Sequence, residues 1–204
     1  NRIEDDALEE RLGAAALAHY RPWLRDVRAY CPHQLSDDLE RLLHEKQVSG
    51  RSAWMRLFDE TVAAMRFPLG GEDLTSAEVL NLLSDPQEDK RRAAAKSIGQ
   101  VFGDNIRTFS LITNTLAKDK ETEDKWRDFA RPISSRNLSN QVEDEVVDAL
   151  VDAVKQSYPR LSHRYYALKA RWMGGEKLNY WDRNAPLPED DDRSIPWSEA
   201  VELV

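Results

Sequence analysis

The sequence predicts an all-α protein: a multi-helix lobe with at most one small hairpin and an extended C-terminal strap. Three observations predict it. Apolar residues recur at three- and four-residue steps through most of the chain, and capping signals precede several of those stripes. The helix breakers, 8 Gly and 9 Pro in 204 residues, fall mostly between the stripes, where an all-α chain places them.

Element by element, an Ala/Leu-rich helix is expected from Ile3 to about Ala18, then a broken stretch around Pro22 and Pro32, then a helix capped by Ser36 and running through Lys46. From Arg51, Trp54, Leu57, Phe58, Val62 and Met65 form one buried stripe, with Arg56, Asp59 and Glu60 outward. "MRFPLGGEDL" predicts a small hairpin at Gly70-Gly71. Thr75-Ser76-Ala77-Glu78 is a capping box, in which hydroxyl and carboxylate each satisfy an orphan backbone N–H. Asp85-Pro86-Gln87-Glu88 repeats that logic for a helix from Pro86 to about Phe102, closed by Gly103. Ile106, Phe109, Ile112 and Leu116 mark another. Val146, Val147, Leu150 and Val154 form a stripe that stops near Tyr158-Pro159, and Leu161, Tyr165, Leu168 and Trp172 form the next, ending at Gly174-Gly175; the two read as an antiparallel hairpin of helices. "KLNYWDRNAPLPEDDDRSIPW" is Pro-rich and suits a strand or surface strap. These elements divide into N-terminal helices over 1–50, a helical lobe over 51–175 and an extended linker over 176–204.

The chain starts at Asn1 rather than Met, and Ala200, Val201, Leu203 and Val204 supply barely two turns without a C-terminal cap. Both ends are read as those of a piece of a longer protein.

Composition narrows the partners. With 37 acids against 29 bases, the net charge of −8 argues against a binder of nucleic-acid backbones, which needs a basic face. No apolar run approaches the roughly 18 to 20 residues that span a bilayer. The single cysteine, Cys31, forms no internal disulfide, which fits a reducing cytoplasm.

Candidate chemistry is sparse. His44-Glu45 opens like an H-E-x-x-H zinc helix, in which two histidines four residues apart meet one metal and the glutamate acts on a water. Position 48, however, is valine, which offers no lone pair, and zinc needs at least three protein ligands. His19, His33 and His163 are isolated and read as surface or capping residues, His163 on a face that packs the aromatic residues Tyr165 and Tyr166. Cys31 in "YCPH" lacks an activating context. Glu189 to Asp192 lack the alternate spacing and glycine of a calcium loop. Trp54 and Trp172 fall on helical stripes and read as core; Trp181 and Trp197 lie in the tail. No catalytic, metal or cofactor-binding residue is therefore assigned.

Four segments, "EKQVSGRSAWMRLFDET", "SRNLSNQVEDEVVDALVDAV", "YPRLSHRYYALKARWMG" and "YWDRNAPLPEDDDRSIPWSEA", resemble the N-terminal half of the oligoendopeptidase F family, relatives of thimet oligopeptidase. The resemblance implies a largely helical, clam-shell enzyme that hydrolyses short peptides in a channel between two lobes. Its zinc would sit on H-E-x-x-H with a third glutamate, in a C-terminal catalytic half beyond Val204. His44-Glu45 is then a coincidence, and this chain alone is expected to bind no zinc and to turn over no peptide. The alternative is a stand-alone helical interaction domain.

Overall fold

Helix follows helix in the computed structural model, which describes residues 3–187 and 194–203. In chain order the helices are α1 (Asp5–Leu12), α2 (Arg21–Arg28), α3 (Asp37–Lys46), α4 (Arg51–Ala64), α5 (Ser76–Asn81), α6 (Glu88–Asp104), α7 (Ile106–Trp126), α8 (Ser134–Ser139), α9 (Asp144–Ser157), α10 (Ser162–Trp172) and α11 (Trp197–Leu203). Between α4 and α5 lies an antiparallel hairpin of β1 (Phe67–Leu69) and β2 (Glu72–Leu74), paired Phe67 to Leu74 and Leu69 to Glu72. Its two-residue turn holds Gly70 and Gly71 at φ 64° and 92°, the left-handed pair that matches strand twist in tight hairpins. The fold is thus all-α with one small hairpin.

The chain divides into two compact units, residues 1–61 with 106–156 and residues 62–105 with 157–204. In the second unit α6 is the spine. Strand β1, the 3₁₀ turn Leu82–Ser84 and the 3₁₀ turn Tyr180–Asp182 all pack on it, and small side chains at Ala94 and Ala95, both buried, permit close approach. Phe67 and Val79 are buried as well, and Phe67 sets its ring 6.1 Å from that of Phe102. The capping box forms as its spacing dictates: the Thr75 hydroxyl accepts from the Glu78 N–H, and the Glu78 carboxylate accepts from the Thr75 N–H at 2.8 Å. In the first unit Leu12 and Ile112 are buried, and Phe58 of α4 meets Phe109 of α7 edge to face with centroids 5.7 Å apart.

Three helices end in the same motif. After α10, Gly174 at φ 80° lets the Gly175 N–H reach the Ala170 carbonyl while its own N–H reaches Arg171, the two bonds of a Schellman cap. After α7 and α8 the left-handed position is filled by Asp128 (φ 55°) and Gln141 (φ 57°), with Phe129 bonding back to Asp124 and Val142 to Asn137. Those two residues pay a steric penalty that glycine avoids.

Several expectations need correction. The Ile3–Ala18 helix stops at Leu12 and resumes as a 3₁₀ turn over Ala15–Tyr20, because Gly13 weakens the helix and the exposed alanines beyond it bury nothing that would hold one. Gly103 lies inside α6; Asn105 ends it, its side-chain amide donating to the Val101 carbonyl at 2.9 Å. Helix α6 starts at Glu88 rather than Pro86, with the Asp85 carboxylate accepting from the Gln87 N–H at 2.8 Å. The strap contains a 3₁₀ turn and is partly interior, with Asp182 and Ala185 buried. Finally, apolar stripes are not all covered: Leu57 and Phe58 are exposed, Val146 and Leu150 are 53% and 63% exposed, and Trp172 is 48% exposed rather than core. Periodicity marks a face as apolar without saying what lies on it. Residues Glu189–Asp192 of the acidic run fall outside the described residues.

Candidate functional site

The best-organised polar constellation of the first unit centres on Arg127, which follows the last residue of α7. Its guanidinium makes two parallel bonds to Glu40 of α3, at 2.7 and 2.9 Å, and Nε donates to Glu123 at 2.8 Å. Such bidentate guanidinium–carboxylate pairs are directional and stronger than neutral hydrogen bonds. The fork also donates to the His33 carbonyl at 3.1 Å. Glu40 accepts a further bond from the Leu35 N–H, so it serves the start of α3 in place of the Ser36 hydroxyl, which makes no cap bond. The Arg127 donors, and then the Leu35 amide, lower the Glu40 carboxyl from 4.5 to about 2; the same pairing raises Arg127.

His33 closes the group from the other side of the sequence. Its Nδ1 lies 2.7 Å from the Arg127 carbonyl oxygen. A carbonyl only accepts, so Nδ1 carries the proton and caps the C-terminus of α7. The imidazole stacks on Phe129, with centroids 3.9 Å apart and planes inclined by 16°. Phe129 reaches this place because Asp128 adopts the left-handed conformation just before it. Together His33, Glu40, Arg127 and Phe129 line a cleft of about 550 Å³, with Trp23 of α2 and Tyr30 just beyond it contributing the remaining aromatic wall.

The second unit holds a buried polar clasp. Arg91 of α6 donates to Asp182 at 2.7 Å and to the carbonyls of Asp85 and Pro86, while the Lys169 ammonium, 3% exposed, donates to the carbonyls of Arg183 and Ala185 at 2.9 and 2.6 Å. The clasp fixes the strap; it has no reactive geometry of its own.

The residues singled out from sequence are scattered. His44 and Glu45 lie exposed on α3, with Val48 one turn on; His44 lines a second cleft, of about 490 Å³, beside Glu123 and Asp119. His19 is exposed beside Tyr20, His163 stands 6.0 Å from the Tyr158 ring, and Cys31 is half-buried, two positions before His33 in the chain. Among the described residues no three His, Cys, Asp or Glu side chains converge as metal ligands, so the donor set present does not fit a zinc ion. No described helix is long and apolar enough to cross a membrane. Glu40, Glu123 and Arg127 were not singled out from sequence: Glu40 and Arg127 are 87 positions apart, and nothing local announces the pair.

The family described as Oligopeptidase F matches residues 1–67. The chain is 24% identical to oligopeptidase PepF of Bacillus subtilis over 99% of its own length, and 25% identical to group B oligopeptidase PepB of Streptococcus agalactiae over 91%. In both comparisons it spans 31% of the relative, about a third of that protein's length. The crystal structure of oligoendopeptidase-F from Enterococcus faecium superposes with a TM-score of 0.78 at 26% identity, covering 91% of this chain and 38% of the other.

Proposed function

We propose that this chain, which is similar in sequence and fold to oligoendopeptidase F proteins, is the non-catalytic helical lobe of a zinc-dependent peptidase acting on short peptides. In such a protein it shapes the substrate channel. The observation that carries this reading is the similarity to oligopeptidase PepF along 99% of the chain, within only 31% of the relative.

In this reading the zinc chemistry is supplied by another part of the protein, and one feature of the helices supports the reading. The apolar positions Val146 and Leu150 of α9 stand in solvent, as a face made to be covered would. Residues 176–204 then serve as the connection toward the catalytic part, and the single Cys31 suits the cytoplasm.

The physical role follows from the helices. A rigid helical wall beside a cleft excludes folded proteins by sterics, admits flexible short peptides and limits water around the reacting bond. A stand-alone helical interaction domain is the second reading, and the exposed α9 stripe favours it equally.

Reading the gene beyond the codon for Val204 separates them: H-E-x-x-H is expected in the first case and a stop codon in the second. Given the former, the catalytic part is assayed with and without residues 1–175 on a short fluorogenic peptide and on a folded protein. The lobe should favour the peptide over the folded protein; unchanged discrimination would end the channel-shaping role.

A further inference from the structure

Helix α2 turns one face to the 550 Å³ cleft. Trp23, Asp26 and Val27 fall at i, i+3 and i+4 on one face of α2, Tyr30 follows in the turn two residues beyond its end, and all four line the cavity. Trp23 is 61% exposed and Tyr30 is exposed too, so both aromatic rings are accessible within a concave surface. The face of an aromatic ring carries negative electrostatic potential and attracts cations, tryptophan and tyrosine more strongly than phenylalanine.

The charges around these rings sum to a negative value. The Asp26 side chain is half-buried and makes no hydrogen bond or ion pair with the described residues. Arg127, in the same lining, is already engaged by the Glu40 and Glu123 carboxylates and by the His33 carbonyl, so its group of three carries net negative charge. The cleft therefore presents an uncompensated carboxylate between aromatic faces, which disfavours an anion and leaves a neutral apolar ligand with a carboxylate to desolvate. A planar guanidinium suits it best: it stacks on an aromatic ring, is more weakly hydrated than an ammonium, and offers paired donors to one carboxylate.

We propose that this cleft binds a cationic guanidinium group, stacked against Trp23 and Tyr30 with Asp26 as its counter-ion. The site is independent of peptide hydrolysis and of the metal discussed above. An arginine side chain within a peptide and a free guanidinium compound share this chemistry.

The test uses the full 204-residue chain, ¹⁵N-labelled. N-acetylarginine amide, its uncharged isostere N-acetylcitrulline amide and the peptide Ala-Ala-Arg-Ala-Ala are each titrated while the Trp23 indole and Tyr30 amide signals are followed. Saturable shifts with the arginine compounds are expected, with citrulline weaker by about fivefold or more, the effect of losing a partly exposed charge contact and a cation–π contact. Asp26→Asn should weaken arginine binding by a similar factor, Tyr30→Ala should weaken it, and Tyr30→Phe, which keeps the ring, should largely retain it. Tighter binding of the peptide than of the amide supports the site with a peptide side chain as its ligand; equal binding supports it with a free guanidinium. Equal affinity for arginine and citrulline, no saturable shift at Trp23, or indifference to Asp26→Asn overturns the proposal. Should a variant fail to fold, which signal dispersion reveals directly, the arginine–citrulline comparison on the unaltered chain still decides.

Discussion

Arg91 and Asp182 are 91 positions apart in sequence, and their side chains meet at 2.7 Å in the interior of the second unit. The pair ties the strap to α6, and Asn179 reinforces it by donating to the other Asp182 oxygen at 3.2 Å. Removing one member of a buried ion pair leaves the other charge in a poorly solvating place. Asp182→Ala should therefore destabilise the chain by about 3 kcal/mol, within the range for broken buried pairs. The double substitution Arg91→Met with Asp182→Leu should recover part of that loss, because no lone charge stays buried; the Asp85 and Pro86 carbonyls that lose their donor limit the recovery. Chemical denaturation of the unaltered chain and the two variants, followed by circular dichroism, checks the order. A double variant less stable than Asp182→Ala would contradict it.

Glu40 gives the first unit a pH dependence of known sign. Its carboxyl is lowered from 4.5 to about 2 by the Arg127 hydrogen bonds, so the contribution is complete above about pH 4.5 and is lost as the pH falls toward 2. Half-exposed pairs are screened by solvent, which limits the effect to about 1 kcal/mol. Comparing unfolding free energies at pH 6 and pH 3 for the unaltered chain and Glu40→Gln isolates it: other lowered carboxyls, such as Asp144 held by Ser134 and Asn137, contribute to both proteins equally. The variant should lose less stability on acidification.

Helix stops offer a gain rather than a loss. Gln141 holds φ 57° at the left-handed position after α8, a conformation that crowds any Cβ. Gln141→Gly should raise stability by about 0.5–1 kcal/mol, the relief of strain exceeding the added unfolded-chain entropy. Asp128→Gly should gain less, because aspartate tolerates this region better than glutamine. Thermal unfolding midpoints of the two variants test both the sign and the ranking.

What was legible in the sequence follows the range of the interactions. The Gly70-Gly71 turn, the Thr75–Glu78 capping box and the Gly174 stop are decided within six residues, and each stands where local chemistry puts it. Helix existence was legible for the same reason. Arg127 with Glu40 and Arg91 with Asp182 depend on segments brought together by packing, which no short-range pattern encodes. The α2 face is an intermediate case: the i, i+3, i+4 spacing of Trp23, Asp26 and Val27, with Tyr30 just beyond the helix, is visible in the sequence, whereas the cavity these residues line is not.

The α9 stripe separates what periodicity reports from what burial costs. Val146, Leu150 and Val154 repeat every four residues, the signature of a buried face, yet Leu150 is 63% exposed. Leu150→Ser should accordingly change the stability of this chain by about 0.5 kcal/mol or less, as surface substitutions do. Phe67→Ala, at a side chain buried in the second unit, should cost about 3–5 kcal/mol. If Leu150→Ser instead approaches the cost of Phe67→Ala, the stripe is packed in solution, either within the chain or against a second copy. Measuring the Leu150→Ser effect at two protein concentrations distinguishes those cases, since only association makes the loss concentration-dependent.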